Sequence, residues 1–250
     1  MRKTIVILIV LATMTAFSFP PARNIRIWMI GDSTMSIKDK RTYPETGWGM
    51  SFVHFWDSTV TIDNRAKNGR STKSFRDEGL WEPVMNGMQE GDYVIIQFGH
   101  NDEVPTKKTY TTEMEFRNLL VQYINEARSK RAIPLLLTPA ARRKFDSTGK
   151  VVGTHDVYSQ IVRDVAAIEK TILIDLDRKS QALYQQLGVD GSKWLFNHLA
   201  PGEHPNYPEG KIDDTHFSEV GARKIAGIVL GDIRVLIPDL AARVISKTPK

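Results

Sequence analysis

The chain has 250 residues, 41% of them apolar and 25% charged, with a formal net charge of +5. These values exclude wholesale disorder and fit one large α/β domain. The absence of cysteine excludes disulfides, a thiol nucleophile, thiolate metal sites and a lipidated-cysteine anchor.

The chain begins like an export signal. Arg2 and Lys3 supply a positive start, residues 5–12 form an apolar run, and Ala16-Phe17-Ser18 offers small residues to a peptidase. The run is short for a membrane span. Residues 1–18 therefore read as a cleaved signal peptide, and the expected product is secreted or periplasmic, with no membrane association after cleavage. Residues 22–250 read as a single domain, taken as a monomer.

The first strand is expected at residues 25–30, ending at Gly31, with Asp32-Ser33-Thr34 as a turn into a helix. Further apolar runs predict strands at residues 60–62, at 93–98 before Gly99, at 133–137 before Pro139, and at 172–175. Between them, Phe116, Leu119, Leu120, Tyr123 and Ile124 recur at helical steps within residues 114–127. Ile161, Val165 and Ile168 do the same within residues 157–168. The last helix is expected over residues 218–236, with Ser218 as its N-cap. Short apolar strands alternating with amphipathic helices imply a parallel sheet covered on both faces. Sites in such sheets lie beyond the carboxyl ends of the strands.

Polar residues at those ends are the candidates for chemistry. Ser33 could be a helix cap, or a nucleophile held at a strand-to-helix turn. In Asn68-Gly69-Arg70-Ser71, Gly69 marks a turn and also lets backbone approach a substrate closely. In Gly99-His100-Asn101-Asp102, the Asn101 amide is a natural oxyanion donor, and His100 is a rival base. His216 is better placed, because Asp213 can fold back onto its Nδ1–H, with Asp214 as the competing orienter. The same Asp-x-x-His could also be half of a metal site, without further clustered ligands to complete it. Together these residues supply a nucleophile, a base, an orienter and three oxyanion donors.

Gly31-Asp32-Ser33, Gly69, Gly99-His100-Asn101-Asp102 and Asp213-x-x-His216 resemble the four blocks of the SGNH (GDSL-like) hydrolases, in the same order along nearly the whole mature chain. Finer matches, including Gly47-Trp48-Gly49, Ser74-Phe75, Glu78-Gly79 and Thr138-Pro139, are similar to the rhamnogalacturonan acetylesterase branch. The resemblance implies a three-layer α/β/α sandwich, flavodoxin-like, with a central parallel five-stranded sheet. It also implies a serine esterase that needs no cofactor and no metal. Ser33 would attack the acetyl carbonyl, His216 would carry the proton, and Asp213 would orient His216. The N–H groups of Ser33 and Gly69, with the Asn101 side chain, would hold the oxyanion.

The expected partner is an acetylated plant cell-wall polysaccharide, pectic rhamnogalacturonan first. The alternatives are a lipase- or thioesterase-like enzyme and an acetylxylan-type esterase. No nucleic-acid motif is visible, so nucleic acid is not an expected partner. His100, Arg70, Trp194, His198, His204 and Tyr207 are the candidate substrate contacts. Of Trp48, Trp81 and Trp194, at least two are expected in the core. Arg142, Arg143 and Lys144 could meet galacturonate carboxylates or form a solvated face.

Overall fold

Five short runs rich in Ile, Val and Leu pair side by side in the computed structural model, which describes residues 23–245. They are β1 (Ile25–Gly31), β2 (Val60–Asn64), β3 (Tyr93–Gln97), β4 (Ile133–Leu137) and β5 (Ile172–Ile174). Every pairing is parallel, and the order is β2-β1-β3-β4-β5. The expected signal segment, residues 1–18, lies outside the described residues.

The helices are α1 (Trp48–Phe52), α2 (Thr72–Asp77), α3 (Glu82–Gly87), α4 (Glu113–Ser129), α5 (Asp156–Ile168), α6 (Leu176–Gly191), α7 (Glu219–Leu236) and α8 (Pro238–Ala241). They sort onto the two faces by the two-residue alternation of the strands. Ile25, Ile27 and Met29 of β1 pack in one cluster with Trp48 and Phe52 of α1 and with Ile225, Val229 and Ile233 of α7. Trp28 and Ile30, pointing the other way, join Phe75 of α2, Phe116 and Tyr123 of α4, and Val165 of α5. The result is the expected three-layer α/β/α arrangement. Truncating a core side chain such as Ile27 to alanine costs about 2–5 kcal/mol.

Two features differ from expectation. After Ser33 the chain makes a single helical turn, with Met35 and Ser36 N–H both directed at Asp32 O, and then leaves it. No helix of useful length follows, so no helix dipole backs Ser33. The second is α6, for which the sequence gives no apolar stripe. Two of its four buried residues, Asp177 and Ser180, are polar. Asp177 is buried because Arg163 of α5 pairs with it at 2.8 Å, and such positions blur the helical period.

The strand order reverses between β1 and β3, and a parallel sheet opens a crevice at such a point, beyond the carboxyl ends of the two strands. Ser33 follows β1, and His100 and Asn101 follow β3.

Candidate active site

Asp32 shapes the turn that presents Ser33. Its Oδ1 accepts from the Thr34 N–H at 2.9 Å and the Thr34 hydroxyl at 2.8 Å, and its Oδ2 lies 3.1 Å from His100 Nδ1. The pair is sealed from solvent. Burial disfavours the Asp32 carboxylate, but His100 and the Thr34 donors outweigh it and hold the group well below the usual range. His100 is held down as well, by burial, to about 4, despite Asp32 beside it.

The base loop folds back on itself as its sequence spacing allows. Asp213 Oδ1 accepts the N–H groups of Thr215 and His216, each at 2.9 Å, and its Oδ2 lies 2.9 Å from His216 Nδ1. His216 Nε2 lies 2.9 Å from Ser33 Oγ. With Nδ1–H donated to Asp213, Nε2 is the acceptor for the Ser33 hydroxyl proton. Burial works against ionised Asp213, but its bonds to His216 and Thr215 and the His216 charge hold it well below the usual carboxylate range.

The loop after β2 docks against the serine turn. Lys67 N–H donates to Gly31 O at 2.9 Å, and Asn68 Oδ1 accepts from Lys38 Nζ at 3.1 Å and from the Ser36 hydroxyl. Gly69 follows with φ +76°, a left-handed conformation that favours glycine. Among the described residues, neither the Ser33 nor the Gly69 N–H donates to a protein acceptor. Asn101 donates from Nδ2 to Arg70 O at 3.0 Å and accepts Lys107 Nζ on Oδ1 at 2.8 Å. Those contacts fix the amide orientation and leave one Nδ2–H to donate elsewhere. Asp102 ties the two loops, accepting from Thr72 N–H at 2.9 Å and Gly99 N–H at 3.1 Å.

The candidate substrate contacts scatter. Trp194 is 79% exposed, while Trp48 and Trp81 are core, as expected. His198 Nε2 lies 2.8 Å from Asp214 Oδ1, and Arg143 reaches the same oxygen at 3.0 Å. Asp214 therefore braces the loop from outside, and Asp213 alone faces His216. His204 and Tyr207 pair across a tight turn, and the Tyr207 hydroxyl donates to Thr42 O at 2.9 Å. Arg70 is bound to Glu78. His100 is buried, with its ring edge-on to His155 at 4.3 Å between centroids, so little of it can meet a polymer. Arg142 bonds Thr215 Oγ at 2.7 Å and Arg143 holds Asp214, so both brace the base loop rather than forming a solvated face.

Four residues at the site escape the sequence reading. Lys38, Glu45 and Lys211 surround the triad, and Lys107 holds Asn101. Only Glu45 had a hint, two residues before the Gly47-Trp48-Gly49 match. Glu45, Asp213 and His216 bring ligand atoms within 4.8 Å of one another, a grouping that could attract a cation. Lys38 Nζ at 2.7 Å and Lys211 Nζ at 3.4 Å already place ammonium groups on the Glu45 carboxylate, and Lys211 also lies 3.3 Å from Asp213. That donor set leaves poor room for a metal ion.

The model of the GDSL-like lipase/acylhydrolase family matches residues 29–224. The chain belongs to that family. It is 38% identical over 229 residues to the rhamnogalacturonan acetylesterase RhgT of Bacillus subtilis, covering 91% of this chain and 97% of that protein. Among solved structures it resembles protein YxiM of Bacillus subtilis, with a TM-score of 0.73 and 28% identity, spanning 86% of this chain and 57% of that one. It shares its fold with Axe2, an acetylxylan esterase from Geobacillus stearothermophilus, at a TM-score of 0.60 and 18% identity over 84% of this chain and 94% of that one.

Proposed function

We propose that the protein is an exported serine esterase that removes acetyl groups from rhamnogalacturonan. The observation that carries the reading is the unbroken Asp213–His216–Ser33 line of hydrogen bonds, with uncommitted donors on the loops docked beside it. The likeness to RhgT over nearly the full length of both proteins supports the choice of substrate.

Ser33 Oγ attacks the acetyl carbonyl carbon while His216 Nε2 takes the hydroxyl proton. The carbonyl oxygen becomes an oxyanion, held by the Ser33 and Gly69 N–H groups and the second Asn101 Nδ2–H. The C–O bond to the sugar then breaks, and the proton passes from His216 to the leaving sugar oxygen. Water, deprotonated by His216, attacks the acetyl-serine, releases acetate and restores Ser33. Asp213 keeps the imidazole in the tautomer that allows both transfers and stabilises its cationic form.

Acetate release from acetylated rhamnogalacturonan and acetylated xylan, with Ser33→Ala as the blank, tests the reading. Faster release from rhamnogalacturonan is expected. Preference for xylan would transfer the assignment to an acetylxylan-type esterase. Flat or rising rates from acetyl to octanoyl esters would replace it with a lipase-like one.

A further inference from the structure

Lys38 is a charged residue whose side chain is wholly buried. Its ammonium donates to Ser33 O, lies 3.1 Å from Asn68 Oδ1, and pairs with Glu45 Oε1 at 2.7 Å. It therefore touches the serine turn and the residue before Gly69 at once. The other Glu45 oxygen lies 3.4 Å from Lys211, whose ammonium also reaches Asp213 Oδ2 at 3.3 Å. Lys211 in turn rests on the Tyr207 ring, 4.7 Å from its centroid. A chain of alternating charge thus runs from Ser33 through Lys38, Glu45 and Lys211 to Asp213. Burying an ammonium group is costly unless it is paired and fully bonded, and a surface-style role would not require it.

We propose that Glu45 is a positioning residue for the esterase reaction: clamped between Lys38 and Lys211, it joins the serine turn to the base loop and sets a second carboxylate beside His216. The inference rests on the esterase reading of that site. Asp213 supplies orientation and charge, whereas Glu45 supplies charge alone: no hydrogen bond links it to the imidazole, yet an oxygen of Glu45 lies within 4.8 Å of a His216 ring nitrogen. The charges of Lys38, His216 and Lys211 overcome burial and hold Glu45 ionised. Burial pulls Lys38 down, and Glu45 opposes it.

The other charged groups around His216 are accounted for. Asp213 pairs with it, Lys211 lies against Asp213, and Arg142 meets its loop through Thr215. Arg143 and His198 are committed to Asp214. Asp32 and His100 form a sealed pair beneath the serine turn. Glu45 and Lys211 therefore act on the imidazole with opposite signs. Loss of the Glu45 charge disfavours the imidazolium in either protonation state of Lys38, which lies farther along the chain of charges. Loss of the Lys211 charge favours the imidazolium.

The test is the pH profile of kcat/KM on an aryl acetate, measured on the full chain from about pH 5 to about pH 9. The acid limb, where the base loses its proton, is expected to move down by about one unit in Glu45→Gln and up by about one unit in Lys211→Met. Lys211→Arg keeps the charge and should retain the wild-type limb. Lys38→Met should lower kcat by about tenfold or more with KM within about twofold, because it releases Ser33 O and Asn68 together. Lys211 is partly exposed, so its variants are expected to fold, and they decide the matter if Glu45→Gln does not. Limbs that coincide with wild type, even alongside a uniform loss of rate, would reduce Glu45 to a structural residue and overturn the proposal. A wild-type protein with no esterase activity would instead overturn the reading beneath it.

Discussion

Two aspartate–histidine pairs flank the serine turn at the carboxyl edge of this sheet, while a third, Asp214 with His198, braces the base loop from outside. Asp213 and His216 meet at 2.9 Å in a partly open loop, and Asp32 and His100 meet at 3.1 Å in a sealed one. Chemically the pairs are alike. They differ in what the imidazole faces on its other side. His216 turns Nε2 to the Ser33 hydroxyl, whereas His100 lies edge-on against the ring of His155. A carboxylate partner alone therefore does not make a histidine a base; access to a transferable proton does. The sealed pair instead fixes the Asp32 turn on which Ser33 stands.

The contrast can be broken by substitution. The largest effect is expected for His216→Ala, which should lower kcat/KM on an aryl acetate by on the order of ten-thousandfold or more while leaving the melting temperature within a few degrees. His100→Gln should do the reverse, keeping activity within about tenfold but lowering the melting temperature by several degrees. If both variants lost activity equally, the two pairs would share one role. Asp213→Asn should cost roughly a thousandfold or more in kcat, because the tautomer is no longer enforced. Asn101→Ala, which removes one oxyanion donor, should cost roughly a hundredfold in single-turnover rate.

The smallest effect is a dependence of stability on pH. Folding holds His100 at about 4, below its ordinary value of 6.5, so between those values the unfolded chain binds a proton that the folded one refuses. The contribution is fully present above about pH 6.5 and is lost as pH falls toward about 4. Burial pushes the Asp102 carboxyl up to about 7, which acts with the opposite sign over the same window. The His100 contribution is therefore read as the difference in denaturant midpoint between wild type and His100→Gln, which should shrink as pH falls toward about 4. An unchanged slope in the variant would place the titrating group elsewhere.

Much of the frame was legible in the sequence. All five strands were, because buried parallel strands read as short apolar runs, and α4, α5 and α7 were, because each carries an apolar stripe. Helix α6 was not, since its buried Asp177 depends on a partner in α5. Ser33, Asp213, His216 and Asn101 could be picked out because each sits beside a strand end or before a capped helix. Lys38, Glu45 and Lys211 could not. Their proximity exists only after the segment of Lys38 and Glu45 meets the distant one of Lys211, and a lone lysine or glutamate in a loop carries no mark of burial.

His216 lies two residues before Ser218, the cap of α7, and that helix is seated so tightly that a Cβ on Gly221 would come within 1.9 Å of Leu195 O. The imidazole thus precedes a helix whose Ile225, Val229 and Ile233 share one apolar cluster with Ile27 and Met29 of β1, the strand that leads into Ser33. The two halves of the proton-transfer pair are held together through the hydrophobic layer between them. Turnover is therefore a gauge of whether that layer is docked, and a denaturant series should extinguish catalysis no later than it exposes Trp48.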